Sequence, residues 1–292
     1  MLGQHTAFAR PIERSIAAPG NPVYDSTQQA LPERADDWRT LVITPRSVVG
    51  ACAWLLMLSA VFTPSTAAEP DWQHYAALLA THVKSGERDG VTLNLVDYEA
   101  LAKDPHLPLA LTALERFPVA QLTDPREWLA FHINAYNLLA LNMVVTHQPS
   151  KSIKDIGNFL RPVWQRSAGK VDGQEVSLAD IEHRRLRTRG DPRIHFAIVC
   201  ASVSCPDLRT EPYRAATVES QLNDQALRFL ANPHKGMRVT PDAIHVSQIF
   251  DWFEADFASS GGARSFIRRY LSVPAGREVV ADIDYNWRLN SR

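Results

Sequence analysis

The stretch WLAFHINAYNLLALNMVV, residues 128–145, decides the fold that the sequence predicts. It is apolar on nearly every face, so the helix it forms is expected in the centre of a core rather than on a surface. Asp124 can cap the N-terminus, Pro125 suits the first turn, and Glu127 can complete a capping box. A long buried helix over residues 125–147 is therefore expected to organise the domain.

Asn134 and Asn137 are polar exceptions within this apolar helix, three residues apart on one face. A buried amide without partners costs about 1–3 kcal/mol, so both are expected to form hydrogen bonds. They either bond to the backbone of neighbouring loops and fix the fold, or one of them orients a catalytic group. The first interpretation is favoured, because buried polar networks are usually structural.

Shorter elements surround this helix on both sides in the sequence. The pattern predicts further helices and strands without the regular strand–helix alternation of a doubly wound sheet, which indicates an α+β fold. We expect a mostly helical single domain with a small sheet and hairpins. The predicted helices cover residues 71–84, 97–103, 107–117, 178–188, 218–231, 248–257 and 262–271. The predicted strands and hairpins cover residues 91–95, 169–176, 195–199, 237–247 and 279–283.

The first 68 residues differ from the rest. Residues 1–45 are polar, and are either a disordered segment or the result of a start codon placed too far upstream. Residues 46–68 predict a signal peptide, because an arginine precedes a 15-residue apolar run and small residues follow it. The alternative is a short membrane anchor. The folded domain is then residues 69–292, in a periplasmic or secreted protein.

Charge and motifs exclude several function classes. The formal net charge is −1, with no basic surplus that would favour nucleic acid. A peptide, a protein or a small molecule is the expected partner, and a membrane only if the N-terminal segment stays uncleaved. The chain lacks a phosphate-binding glycine loop, a dinucleotide fingerprint, an H-E-x-x-H pattern and a G-x-S-x-G elbow, so no cofactor is expected.

The stretch HFAIVCASVSCPDL, residues 195–208, is the candidate site. Cys200 and Cys205 are the two cysteines after the predicted signal peptide, and in an oxidising compartment such a pair is most often a disulfide. Alternatively, Cys200 is a nucleophile at a strand end. On an extended strand His195 would point away from Cys200, about 16 Å distant, so it is not the expected base. Like Asn137, Cys205 and Pro206, it is expected to be structural or to bind ligand.

His183, on the predicted helix 178–188, is the expected base for Cys200, with Glu182 or Asn134 as the group that orients it. A metal site built from His183, His195 and the two cysteines is a weaker alternative. The spacing C-x4-C lies at the edge of the patterns typical of zinc, so no metal is expected.

Several motifs of the chain resemble a known family, the domain of unknown function 547. The motifs are AFHINAYN (130–137), SIKDIG (152–157), SLADIEH (177–183), RIHFAIVCASVSCPDL (193–208), ADF (255–257) and YNWRLN (285–290). The family is uncharacterised, so the resemblance implies no reaction. This chain has His132 where the family usually has an aromatic or aliphatic residue, and Asn286 where it usually has an aspartate.

Two functions follow as hypotheses. The first is a thiol-dependent hydrolase or transferase acting on peptide or amide bonds, with Cys200 as nucleophile. The second is a non-catalytic binding or scaffold module in which a Cys200–Cys205 disulfide is structural.

Overall fold

The computed structural model describes residues 69–292 of the chain. The polar segment predicted over residues 1–45 and the signal peptide predicted over residues 46–68 lie outside the described residues. The described part confirms the predicted α+β class, with a long buried helix, short helices around it and small sheets.

The N-terminal part consists of helices around one hairpin. Strands β1 and β2 pair antiparallel with Val83 opposite Val96. In chain order these elements are α1 (Gln73–His82), β1 (Val83–Arg88), β2 (Val91–Val96), α2 (Tyr98–Leu101), α3 (His106–Arg116) and α4 (Pro125–His147). The predicted helix over residues 71–84 is two residues too long at its C-terminal end, because the chain already pairs in β1 from Val83.

Helix α4 is the central element, as its sequence predicts. The side chain of Asp124 caps it by accepting a hydrogen bond from the Arg126 amide at 2.7 Å, and the helix ends at Gln148, whose φ is 46°. By length and apolarity α4 could cross a membrane, but most of it is buried inside the protein. It is a core helix, against which α2, α3 and the strand Ser167–Val171 pack, among other elements.

A second hairpin and a three-stranded sheet follow α4. In the hairpin, Asp172 and Gly173 both have positive φ, as an Asp-Gly turn between two strands favours. Strand β6 pairs antiparallel with β5 and parallel with β7. The elements are β3 (Ser167–Val171), β4 (Gln174–Ser177), α5 (Val218–Ala231), β5 (Met237–Val239), β6 (Ala243–Ser247), α6 (Ile249–Trp252), α7 (Glu254–Ala258), α8 (Gly262–Ile267) and β7 (Glu278–Ile283).

Three predicted elements differ in the structure. The predicted strand 195–199 is wrong: Pro192–Phe196 form a 3₁₀ helix, because the Asp191 side chain caps the Arg193 amide and Pro192 suits the first helical position. The predicted helix 178–188 is a π-helical segment, Asp180–Leu186, followed by the 3₁₀ helix Arg187–Arg189. The predicted helix 248–257 breaks at Phe253 into α6 and α7.

The last residues return to the loop that carries the cysteines. Leu289 pairs with Ser202 in an antiparallel bridge, and the Val203 amide donates to the Arg288 carbonyl at 2.8 Å. The Asn290 amide donates to the Ala201 carbonyl at 3.1 Å. The C-terminal segment is therefore part of the scaffold of the cysteine loop.

Candidate functional site

A cavity of about 330 Å³ opens beside the cysteine loop. This volume is at the lower end of the range for small-molecule sites, roughly 300–1,000 Å³. Aromatic side chains supply much of its wall, and both cysteines, Pro206 and several titratable groups also line it. The aromatic side chains are Tyr136, Trp164, Trp252, Phe253, Tyr285 and Trp287.

Helix α4 fixes the backbone that leads to Cys200. The Asn137 side-chain amide donates to the Ala197 carbonyl at 2.9 Å, and its oxygen accepts from the Val199 amide at 2.8 Å. Asn137 therefore holds the residues just before Cys200 against the central helix. It does so from a side chain that is almost fully buried.

The sulfur atoms of Cys200 and Cys205 lie at disulfide distance, with their Cα atoms 6.2 Å apart. The Cys200 amide donates to the Cys205 sulfur at 2.9 Å. Ala201, inside the loop, has a φ of 58°, an uncommon conformation for alanine that brings the two cysteines back toward each other. The Tyr285 hydroxyl lies 3.3 Å from each sulfur.

His195 lines the same cavity as Cys200. The expectation that it points away from Cys200 on an extended strand is corrected, because the 3₁₀ helix turns the chain. The Nε2 atom of His195 lies 2.7 Å from an Asp256 carboxylate oxygen, and its ring stacks on Phe253 at 3.9 Å. Burial lowers the pKa of His195 to about 4, against the opposing effect of Asp256. The imidazole is therefore neutral at pH 7.

Arg187 holds the other side of the Asp256 carboxylate. Its Nε and Nη2 atoms donate to the two carboxylate oxygens at 2.6 and 2.9 Å. The hydrogen bond from Arg187, followed by the effect of His195, holds the pKa of Asp256 below its usual value. Asp256 is thus an ionised acceptor that orients His195. The sequence prediction missed both Asp256 and Arg187, although Asp256 lies in the ADF motif that carries part of the family resemblance.

Glu182 brings a carboxyl group to the cavity wall itself. Burial raises its pKa to about 7, and the Tyr136 hydroxyl donates to it at 3.4 Å. A carboxyl group with a pKa near neutrality can give or take a proton at physiological pH. Tyr136 comes from α4 and Glu182 from the π-helical segment, so the packing of these two elements creates the pair.

His183 also lines the cavity, but it is exposed and makes no hydrogen bond to either sulfur among residues 69–292. Arg187 donates from Nη1 to its Nδ1 atom at 3.1 Å. Burial and the charge of Arg187 lower the pKa of His183. The structure places His183 and Glu182 at the same cavity as Cys200, and it pairs His183 with Arg187 and not with a carboxylate.

Asn134 does not line the cavity. Its side-chain nitrogen donates to the Tyr213 carbonyl at 2.8 Å, and its oxygen accepts from the Tyr213 amide at 2.8 Å. The prediction that Asn134 orients the catalytic histidine is corrected, because both ends of its amide already bind this loop. Among residues 69–292, no three His, Cys, Asp or Glu side chains come together as possible metal ligands.

Comparison with known proteins places part of the chain in a family. No curated protein and no solved structure matches the chain. Residues 119–230 match the family model described as "Protein of unknown function, DUF547". That range includes α4 and both cysteines, but stops before Asp256, Tyr285 and Trp287. The match confirms the resemblance indicated by the sequence motifs, and it shows that residues 119–230 are similar to the DUF547 family of unknown function.

Proposed function

We propose that this chain is an exported thiol-dependent hydrolase or transferase acting on peptide or amide bonds. Cys200 in its thiol form is the nucleophile, His195 is the base, and Asp256 orients His195. The observation that carries the proposal is that His195, which lines the same cavity as Cys200, lies 2.7 Å from the carboxylate of Asp256. His195 takes the place of His183 as the base, because His195 has a carboxylate partner and His183 has an arginine.

The chemistry assigns one role to each ring nitrogen of His195. Nε2 is bonded to Asp256, so Nδ1 takes the proton of the Cys200 thiol. The thiolate attacks the carbonyl carbon of the substrate, the amine leaves with the proton from Nδ1, and a thioester forms on Cys200. Water then hydrolyses the thioester, or another amine accepts the acyl group. Asp256 stabilises the imidazolium that exists between these proton transfers.

A disulfide between Cys200 and Cys205 blocks this chemistry. The proposed enzyme is therefore active when an external dithiol has reduced the pair: the dithiol becomes a disulfide, and both cysteines become thiols. Cys200 is half-buried and Cys205 is almost fully buried, so an attacking thiol reaches Cys200 more readily.

The second candidate function is a binding module in which the disulfide is structural. The disulfide distance between the sulfurs favours it, together with a cavity wall made mostly of aromatic and aliphatic side chains. In this case Cys200 never becomes a nucleophile, and reduction does no more than lower the stability of the loop.

Alkylation of a Cys205→Ser variant tests the proposal, because this variant cannot form the disulfide. We expect iodoacetamide to modify its Cys200 at pH 7 faster than an ordinary thiol, because the neutral His195 accepts the thiol proton as the sulfur attacks. Adding His195→Ala should remove the acceleration, whereas adding His183→Ala should largely preserve it.

Two outcomes would overturn the proposal. One is alkylation of Cys205→Ser at the rate of an unperturbed thiol, and the other is a fast rate that His195→Ala does not change. Loss of the acceleration with His183→Ala alone would return the role of base to His183. A melting curve for each variant shows that the fold is retained during the measurement.

A further inference from the structure

The cavity beside Cys200 also contains a lysine whose charge no acidic side chain neutralises. Lys154 lines the cavity, and its Nζ atom lies 3.7 Å from the centroid of the Trp287 ring. Within residues 69–292 it forms no ion pair. A cation held on an aromatic face, without a carboxylate, remains available to an anionic group of a ligand.

The acidic groups nearest in sequence or in the cavity are already engaged elsewhere. Asp155 accepts from the amides of Lys151 and Ser152 and so caps the 3₁₀ helix Ile153–Ile156. Asp256 is held by Arg187 and His195. Glu182 accepts from Tyr136, and its pKa of about 7 leaves it about half protonated at neutral pH.

An aromatic wall surrounds the position of the Lys154 ammonium. It consists of Trp164, Trp252, Tyr285 and Trp287, and we use the name for these four residues. The Tyr285 and Trp287 rings lie 4.6 Å apart, and the Trp252 and Trp287 rings are stacked at 5.7 Å. Such rings provide a large rigid area against which a flat or apolar group of a ligand can pack.

From this geometry we propose that the cavity binds the C-terminal end of a peptide with a free α-carboxylate and an apolar final side chain. The Lys154 ammonium pairs with the carboxylate, and the aromatic wall packs against the side chain. A volume of about 330 Å³ suits one large residue together with its carboxylate. The inference rests on the proposed function, because it assigns the substrate class of the same cavity, but binding can be measured without any thiol chemistry.

Calorimetric titration of the full chain under oxidising conditions, where Cys200 is not free to react, tests the ligand class. The probes are N-acetyl-L-phenylalanine and its amide, which differ in the carboxylate alone. We expect the acid to bind at least about tenfold more tightly than the amide, the advantage that a charge-assisted pair confers. The tripeptide Ala-Ala-Phe should bind as the acid does, and its C-terminal amide should not.

Variants assign the two parts of the site. Lys154→Met should bring the affinity for the acid down to that for the amide, and Lys154→Arg should restore much of it. Lys170→Met is the matched control, because Lys170 is half-exposed and paired with Glu115 away from the cavity. Trp252→Ala, at a ring that is 43% exposed, should weaken both probes by a similar factor.

Equal affinity for acid and amide, no change with Lys154→Met, or no binding of either probe at millimolar concentration would overturn the inference. Binding of acetylphenylalanine without binding of the tripeptide would overturn the peptide class in favour of a small carboxylic acid. Failure here with fast, His195-dependent alkylation of Cys200 would leave the proposed function intact. Carboxylate binding with an unreactive Cys200 would instead refute the thiol mechanism alone.

Discussion

Helix α4 and the cavity both contain buried polar side chains. The two sets differ in whether they can be charged and in how fully they are hydrogen-bonded. The amides of Asn134 and Asn137 are neutral, and each bonds at both ends to loop backbone at 2.8–2.9 Å. In the cavity, Glu182 and His195 are titratable, have pKa values shifted by burial, and border open space.

The difference separates groups that hold the fold from groups available for chemistry. A side-chain amide whose nitrogen and oxygen are both hydrogen-bonded can bind another group only if the loop it holds detaches from the core. A carboxyl or imidazole group at a cavity wall keeps lone pairs or protons that a ligand can reach, and its altered pKa is the physical sign of that environment. Each prediction below tests one side of this comparison.

The largest effect is expected at the α4 amides. Asn137→Ala leaves the Ala197 carbonyl and the Val199 amide buried without partners, so we expect a loss of about 4 kcal/mol in the free energy of unfolding. Urea unfolding measures it. The control is Asn142→Ala on the same helix, which loses two longer bonds, one of 3.3 Å to the Ala168 carbonyl and one of 3.4 Å from the exposed Thr146 hydroxyl, and should cost far less. Equal losses in the two variants would contradict a special role for Asn137.

The next effect concerns His132, a histidine in the core of α4 with no access to the cavity. Burial lowers its pKa to about 4, so below pH 6.5 the unfolded state binds a proton that the native state does not. Above pH 6.5 this effect does not reduce the free energy of unfolding. As the pH decreases from 6.5 to 4, the free energy of unfolding falls by about 3 kcal/mol.

His132→Phe should therefore flatten the decline in the free energy of unfolding between pH 6.5 and 4. His195 is expected to contribute a decline of the same sign in the same range, because its pKa is also about 4. Urea unfolding at several pH values measures the slope, and His147→Gln, at an exposed position, is the control. A slope unchanged by His132→Phe would show that this histidine is charged or hydrated in the native state.

Glu182 should show the opposite pH dependence. Its pKa is raised to about 7 from an ordinary value of 4.5, so the native state retains a proton that the unfolded state has lost. The native state is penalised progressively as the pH rises from 4.5 to 7, by about 2 kcal/mol after allowance for partial exposure.

Glu182→Gln should remove this penalty, so that the variant gains stability relative to the unmodified protein as the pH rises through that range. The exposed Glu254→Gln should leave the profile unchanged. A variant that loses stability relative to the unmodified protein as the pH rises would mean that Glu182 is stabilised as a carboxylate in the native state.

The smallest effect is expected at Tyr285. Its hydroxyl lies 3.3 Å from both sulfurs and from Ser202, and sulfur is a weak acceptor, so Tyr285→Phe should change the free energy of unfolding by less than about 1 kcal/mol. Tyr98→Phe, which breaks a 2.7 Å bond to Asn290, should cost more. The reverse order in thermal unfolding would indicate a stronger interaction at the cysteines than the distances suggest.

What the sequence predicts well in this protein is local. The capping residue Asp124 and the uninterrupted apolar run predict α4, and the five-residue separation of Cys200 and Cys205 makes their contact predictable. The partnership of His195 with Asp256 joins residues 61 positions apart, so no local pattern indicates it. The incorrect prediction of a strand over residues 195–199 directed His195 away from Cys200. That prediction relied on the β-branched and aromatic residues of the stretch and ignored Asp191 and Pro192, which favour the start of a helix.

The return of the C-terminal segment to the cysteine loop sets a limit on how the chain can be shortened. A protein cut at residue 230, where the family match ends, would lose Trp252, Tyr285 and Trp287 from the cavity wall, together with Asp256, the partner of His195. Removal of the residues after 284 alone would free the backbone of Ala201 and Val203 from its partners. The cavity and the cysteine loop therefore depend on residues beyond the segment that matches the family.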